Sequence, residues 1–347
     1  MQQALLRDLC TLRQWHNLPK QAFTAEGYPV YGANGIIGFT RQFNHEKPTI
    51  AITSRGDSCG NVIITKPFSY ITANAICIEN IHNAVLPQYL YYYLKSANLH
   101  GITSGAAQPQ ITQKNLGNVP ILIPSLSYQQ HVVNVLQKVE QVINLRQQQL
   151  DALDLMRQSF YHQHFSALFD SEKQQIVPLE QIADIQCGKR NAGDATAEGA
   201  YPFFSCAKSP LRSHTYQYDC ECVLLTGNID FQVTYFDGKF DAYQRVYIIE
   251  SRDKTAITVP YLYAFLQHSL PQIQQQAVGG TIKYIRRSAI TRICIPLPAP
   301  STQQIIGNFA LRILQLKNKI QQATNKETVL FHSLLAQFFQ SLQQRCI

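Results

Sequence analysis

Apolar and polar residues follow two different rhythms along the 347-residue chain. Short β-branched runs, Thr49-Ile50-Ala51-Ile52 and Val62-Ile63-Ile64-Thr65, sit among turn signals such as Arg55-Gly56-Asp57 and Lys66-Pro67. They predict strands in a globular region rich in Gly and aromatic residues. Pro87 to Ser96 predicts one short amphipathic helix, and Val119-Pro120-Ile121-Leu122-Ile123-Pro124 a strand. Then the rhythm changes. No Pro or Gly occurs from about Ser127 to Phe165. There Leu136, Val139, Ile143, Arg146, Leu150, Leu153, Arg157 and Phe160 recur at alternating steps of three and four, the spacing of a coiled-coil seam. A helix of about 40 residues would extend about 60 Å at about 1.5 Å per residue.

The whole pattern occurs twice. Tyr28-Pro29-Val30-Tyr31 returns as Tyr201-Pro202-Phe203-Phe204, 173 positions later. Tyr89 to Leu94 returns as Tyr261 to Leu266 at offset 172. Ile121-Leu122-Ile123-Pro124 with Gln129-Gln130 returns as Ile295-Pro296-Leu297-Pro298 with Gln303-Gln304, at offset 174. Ser159 and Phe165 return as Ser333 and Phe339. Matches in order, at an offset of half the chain, mean two copies of one module. The second seam reads Phe309, Ile313, Leu316, Ile320, Ala323, Glu327, Leu330 and Leu334. The predicted fold is α+β. Two mixed globular domains, 1–124 and 171–298, alternate with two long helical segments, 125–170 and 299–347. Each helix has a stripe to bury and no partner in its own module. The expectation is an antiparallel coiled coil with an internal pseudo-two-fold relation.

Charge refines this picture. The net charge is +8, which suits a nucleic-acid partner without proving one. It splits as +4, −1, +1 and +4 over the four segments in chain order, so no basic tail carries it. The chain has no apolar run of about 18 residues, so no membrane span is expected. The N-terminus lacks a basic region followed by an apolar one, so no secretory signal is expected. Nine scattered cysteines fit a reducing cytoplasm. Cys220-Glu221-Cys222 is the one tight pair and lacks a companion ligand motif, so no metal site is expected.

Several enzyme classes are excluded by missing motifs. Gly188-Lys189 and Gly238-Lys239 lack the rest of a P-loop. No H-E-x-x-H, G-x-S-x-G or G-x-G-x-x-G occurs, and no methyltransferase tetrapeptide or nuclease-like acidic motif. Gly32-Ala33-Asn34-Gly35-Ile36-Ile37-Gly38 reads as two turns flanking a short strand. His162 and His164 read as complements to a helix C-terminus. No catalytic residue is expected.

The duplicated layout, the Tyr28 to Gly38 turn region, Gly105-Ala106-Ala107-Gln108-Pro109-Gln110-Ile111 and the Pro-flanked strand leading into a long helix resemble the specificity subunit of type I restriction–modification systems. The resemblance covers nearly the whole chain. It implies two target-recognition domains on two long helices, binding to double-stranded DNA, and no catalytic site. It also implies two methyltransferase subunits and translocase/nuclease subunits as partners. S-adenosylmethionine, ATP and Mg would then belong to those partners, with no cofactor in this chain and a cytoplasmic location. The chain departs from the family at Gln129-Gln130 and Gln303-Gln304, where Glu-Gln is common. Its second glycine-rich turn is replaced by Ser205-Cys206-Ala207-Lys208-Ser209.

Base edges are read by Asn or Gln at adenine and Arg or Lys at guanine, usually from loops on a scaffold. The first-half candidates are Tyr31, Asn34, Arg41, Arg55, Gln108, Gln110 and Lys114. The second-half candidates are Lys208, Arg212, Asn228, Lys283, Tyr284, Arg286 and Arg287. For Tyr31, core packing competes with base stacking. A coiled-coil scaffold that binds only protein, and a DNA-modifying enzyme with an unfamiliar site, stand as alternatives.

Overall fold

A computed structural model describes residues 2–344 apart from 34, 57, 98, 105–108, 173, 229–230 and 281–282. The chain forms two compact units, Met1–Leu145 with Ala323–Ile347, and Arg146–Gln322.

In the first unit, Thr11–Arg13, Ala75–Glu79, Ile50–Thr53 and Val62–Ile64 form one antiparallel sheet in that order. Alternation along Ala75–Glu79 divides its side chains between two cores. Ile76 and Ile78 join the main core with Tyr89, Leu90 and Tyr92 from the helix Pro87–Ser96. Ala75 and Cys77 join a smaller core with Tyr31 and Ile71. A second sheet orders Phe23–Thr24, Gly35–Thr40, Tyr28–Gly32 and Tyr70–Ile71. The glycine cluster is therefore a hairpin with Gly32 opposite Gly35. The second turn expected at Gly38 is strand instead. Gly38 is needed because a Cβ there would lie 2.7 Å from the Phe23 ring.

The second unit has one six-stranded sheet. Its order is Ala183–Cys187, Val246–Ser251, Tyr218–Thr226, Val233–Ala242, Tyr201–Phe204 and Leu211–Ser213. The helix Val259–Gln275 covers one face through Tyr261, Leu262 and Phe265. Each unit also pairs its entering strand with its leaving one, Gln2–Leu5 with Pro120–Ile123 and Ile176–Pro178 with Cys294–Pro296.

The long helices are Leu126–Phe169, with 44 residues, and Pro300–Gln344, with 45. In the second unit Phe160 stacks on Phe309 at 3.7 Å, and Lys317 Nζ meets Asp154 at 2.8 Å. Moving back along one helix moves forward along the other, so they pack antiparallel. In the first unit His131 meets Phe338 at 6.0 Å. All eight predicted seam positions of the first helix are buried or half-buried. The second helix departs near its end, where Leu330 is 49% exposed and Phe331 is 4%. There Phe331 packs on Tyr92 while Phe339 packs on Tyr89 and Tyr93. The aromatic helix turns the buried face by one position.

Both long helices start from the same anchor. Buried Gln129 accepts from Leu86 N–H at 2.8 Å and donates through Nε2 to the carbonyls of Ala84 and Pro124, at 2.8 and 3.0 Å. Buried Gln303 accepts from Thr258 N–H at 3.0 Å and donates to Ala256 and Pro298, at 2.8 and 3.1 Å. Glutamate cannot donate those two bonds, which accounts for glutamine at both sites. Tyr89 and Tyr261 repeat one another too, donating to Leu122 O at 2.9 Å and Pro296 O at 2.8 Å.

Candidate nucleic-acid interface

In each unit three loops meet at one end of the sheet. In the first unit, Arg55 and Gln110 form an isolated bridge, and Gln110 bridges back to Ser104. Ile111 N–H donates to Ser54 O at 3.0 Å, and Ser104 and Gln110 exchange two backbone bonds of 2.9 Å. The hydroxyls of Thr53 and Ser58 donate to Ala33 O at 3.0 and 2.8 Å, tying in the hairpin loop. Arg55 is exposed and Gln110 half-buried.

The second unit repeats this frame. Asn228 bridges Tyr284, and Tyr284 bridges Val278. Ile285 N–H donates to Gly227 O at 2.8 Å, and Val278 and Tyr284 exchange bonds of 2.9 and 2.8 Å. Cys206, following the strand Tyr201–Phe204, donates its thiol to Asn228 Oδ1. The backbone frame is therefore shared, while Arg55 and Gln110 in one unit become Asn228 and Tyr284 in the other.

The candidates divide into several groups. Arg55 and Gln110 come together, as do Asn228 and Tyr284. Lys114 is exposed on the short helix Gln113–Gly117, shortly after the bridge. Lys283, Arg286 and Arg287 are exposed around Tyr284, and Lys208 is exposed on the loop next to Cys206. Asn34 and Gln108 lie outside the described residues. Three candidates make structural contacts. Tyr31 is 7% exposed and its hydroxyl accepts from Lys66 N–H at 3.0 Å, so it is a core residue. Arg212 donates to the carbonyls of Gly199 and Ala200 at 2.8 and 3.2 Å, closing the neighbouring turn. Asn228 is 7% exposed and holds the loop through its side chain, while Tyr284 across that bridge is 37% exposed. Arg41 sits at the far end of the hairpin, beyond the Tyr28–Thr40 pair.

Sequence reasoning missed Ser104 and Val278, which close the third loop in each unit. They are 174 positions apart, so the repeat itself was the available signal. Among the described residues, the eight cysteines are free thiols, and no helix is long and apolar enough to cross a membrane.

Two copies of one α+β scaffold, carrying divergent loop clusters and connected by long helices, define a duplicated two-module protein. Comparison with known proteins specifies the class. A profile described as "Type I restriction modification DNA specificity domain" matches residues 2–155 and 171–329. The chain belongs to this family, with two copies of its domain. It is 39% identical over 131 residues to the type I restriction enzyme EcoDI specificity subunit of Escherichia coli, covering 38% of this chain and 29% of that one. The match thus spans less than a third of that relative. It is 24% identical over 324 residues to the putative type I restriction enzyme specificity subunit S.HindORF215P of Haemophilus influenzae, covering 86% of this chain and 82% of that one. The fold is shared with the crystal structure of a type I restriction–modification S subunit from M. genitalium. That likeness has a TM-score of 0.73 at 17% identity, over 97% of this chain and 96% of that one.

Proposed function

We propose that each unit reads one half of a bipartite duplex DNA target through its three-loop cluster, and that the long helices set the gap between the halves. The observation that carries this is the shared loop frame with different side chains at equivalent bridges. A guanidinium such as that of Arg55 suits guanine, and an amide such as that of Gln110 suits adenine. Tyr284 offers a ring and a hydroxyl, with Lys283, Arg286 and Arg287 beside it for phosphates or guanine. The chain acts as a non-catalytic subunit. Methylation and cleavage fall to methyltransferase subunits, two per chain as the duplication suggests, and to translocase/nuclease subunits. Those partners carry S-adenosylmethionine, ATP and Mg.

The globular segments carry net charges of only +4 and +1, so few phosphates are neutralised and the chain alone should bind DNA weakly. The decisive experiment replaces residues 171–298 with the equivalent part of another such protein and maps methylated sites in cells. One half-site should change and the other persist. A change in both, or in neither, would overturn the assignment of one half-site to each unit.

A further inference from the structure

A second cluster of chemical interest lies in the first unit, where its two sheets meet. Cys77 and Glu79 alternate onto one face of the strand Ala75–Glu79. His45 comes from the segment whose backbone pairs with Ser69, next to Tyr70–Ile71 of the other sheet. One ligand atom from each of His45, Cys77 and Glu79 lies within 4.8 Å of the others. His45 and Cys77 are buried and Glu79 is half-buried.

The hydrogen bonds around the cluster fix the orientation of the His45 ring. Asn44 Nδ2 donates to Ile71 O at 3.0 Å, and Asn44 Oδ1 accepts from Ile71 N–H at 2.9 Å. This fixes the amide, so Oδ1 is also an acceptor toward His45 Nδ1, 2.7 Å away. His45 therefore carries its hydrogen on Nδ1, and in the neutral ring Nε2 presents a lone pair. That lone pair faces Glu79 Oε1 at 3.2 Å. Trp15 Nε1–H already donates to the same oxygen at 2.8 Å. His45 Nε2 and Glu79 Oε1 thus face one another at 3.2 Å, beside the buried Cys77.

We propose that His45, Cys77 and Glu79 bind a divalent cation of the zinc class. The donor set of one imidazole, one thiolate and one carboxylate suits that borderline-soft ion. In tetrahedral geometry, metal–ligand bonds of about 2.0–2.1 Å place N and O about 3.3 Å apart. The 3.2 Å separation is closer to that edge than to a charge-assisted N–H···O bond of about 2.7–2.9 Å. Thiolate and carboxylate together balance the dication. The Asn44 contact fixes the imidazole tautomer, and the Trp15 contact orients the carboxylate. Glu79's remaining exposure leaves the fourth position to water. Arg13 lies 3.7 Å from Glu79 Oε2 and shares the carboxylate with the cation. Zinc takes the thiolate form of cysteine, so loading would release the Cys77 proton.

The location suggests the purpose. The ion would tie together the two sheets of the first unit. The second unit has one continuous sheet there and Ile248 at the position of Cys77, as the pairings Ala51–Cys77 and Leu224–Ile248 show.

The test strips the purified full chain with a chelator, reloads it with Zn2+ or Co2+, removes the excess and measures bound metal, the Co2+ spectrum and Tm. The expected result is one ion per chain, a thiolate-to-cobalt charge-transfer band and a higher Tm with zinc. Cys77→Ser should lose the band, and His45→Gln should weaken zinc binding at least ten-fold. Cys220→Ser should change neither. If the folded wild-type chain retains no stoichiometric metal, or if the band follows Cys220 instead of Cys77, the proposal fails. Should Cys77→Ser fold poorly, the wild-type band together with His45→Gln decides.

Discussion

The two units follow the same chain course but solve one stretch of sheet differently. In the second unit Val233–Ala242 is a single strand of 10 residues that pairs with Tyr218–Thr226 and, near its end, runs parallel to Tyr201–Phe204. In the first unit the same stretch is broken into Val62–Ile64 and Tyr70–Ile71. The pairings Ile52–Val62 and Leu225–Val233 align Pro67 with Gly238. Proline cannot donate to a ladder, and the next residue, Phe68, takes φ +51°. Gly238 turns the strand at φ +127° and keeps its place in the ladder, opposite Cys220. The break between the two sheets of the first unit thus falls where the second unit keeps Gly238 in the ladder. The Gln129 and Gln303 anchors, by contrast, match bond for bond. A duplicated protein can hold its helix anchors constant while sheets and loops diverge.

The anchors carry the largest expected effect. Gln129→Ala and Gln303→Ala each strand buried partners of three hydrogen bonds, and should cost about 3 kcal/mol or more. Urea denaturation followed by circular dichroism should show the two variants equally affected. Gln129→Glu keeps the acceptor and loses both donors, so it should be no better than alanine. A mild effect at one anchor alone would break the equivalence of the copies.

Recognition should follow the opposite rule, with each loop acting separately. Arg55→Ala and Arg286→Ala should each relax one half-site by about 1–3 kcal/mol of base discrimination, measured by mapping methylated sites. Equal loss at both half-sites would make these arginines phosphate or structural contacts.

The sheet difference gives a smaller effect. Gly238→Ala forces a side chain into a sparsely populated conformation and should cost about 1–2 kcal/mol in thermal or urea unfolding. Pro67→Gly should cost less, because that backbone already lies outside the ladder.

The smallest effect concerns an ion pair without a counterpart. Offset by 174, Asp154 and Lys317 correspond to Thr328 and Ile143. Burial alone would raise the Asp154 carboxyl, but Lys317 and then Arg157 outweigh it and hold the pKa below the usual value. A depressed folded pKa stabilises the fold above the unfolded carboxylate pKa of about 3.9, and the gain disappears as pH falls through the folded value. Both side chains are about one-third exposed, so solvent screening limits Asp154→Asn to roughly 0.5–1 kcal/mol at neutral pH. The difference from wild type should vanish in acid below the usual carboxylate range. A difference that persists there would assign the effect to packing.

Much of the architecture was legible in the chain itself. The helix Pro87–Ser96 and the two long helices follow from periodicity and from the placement of Pro and Gly, which act over a few residues. The duplication needed only self-comparison. Tertiary structure alone decided what distant segments do to one another. It buried Tyr31, used Arg212 to close a turn, and rotated the seam at Phe331 to meet the tyrosines of another helix. It also brought Arg55 to Gln110 and His45 to Cys77 and Glu79. The physical reason is separation along the chain. A hydrophobic period records which face of an element is buried, but which loops meet at a sheet end depends on strand pairings between residues tens of positions apart.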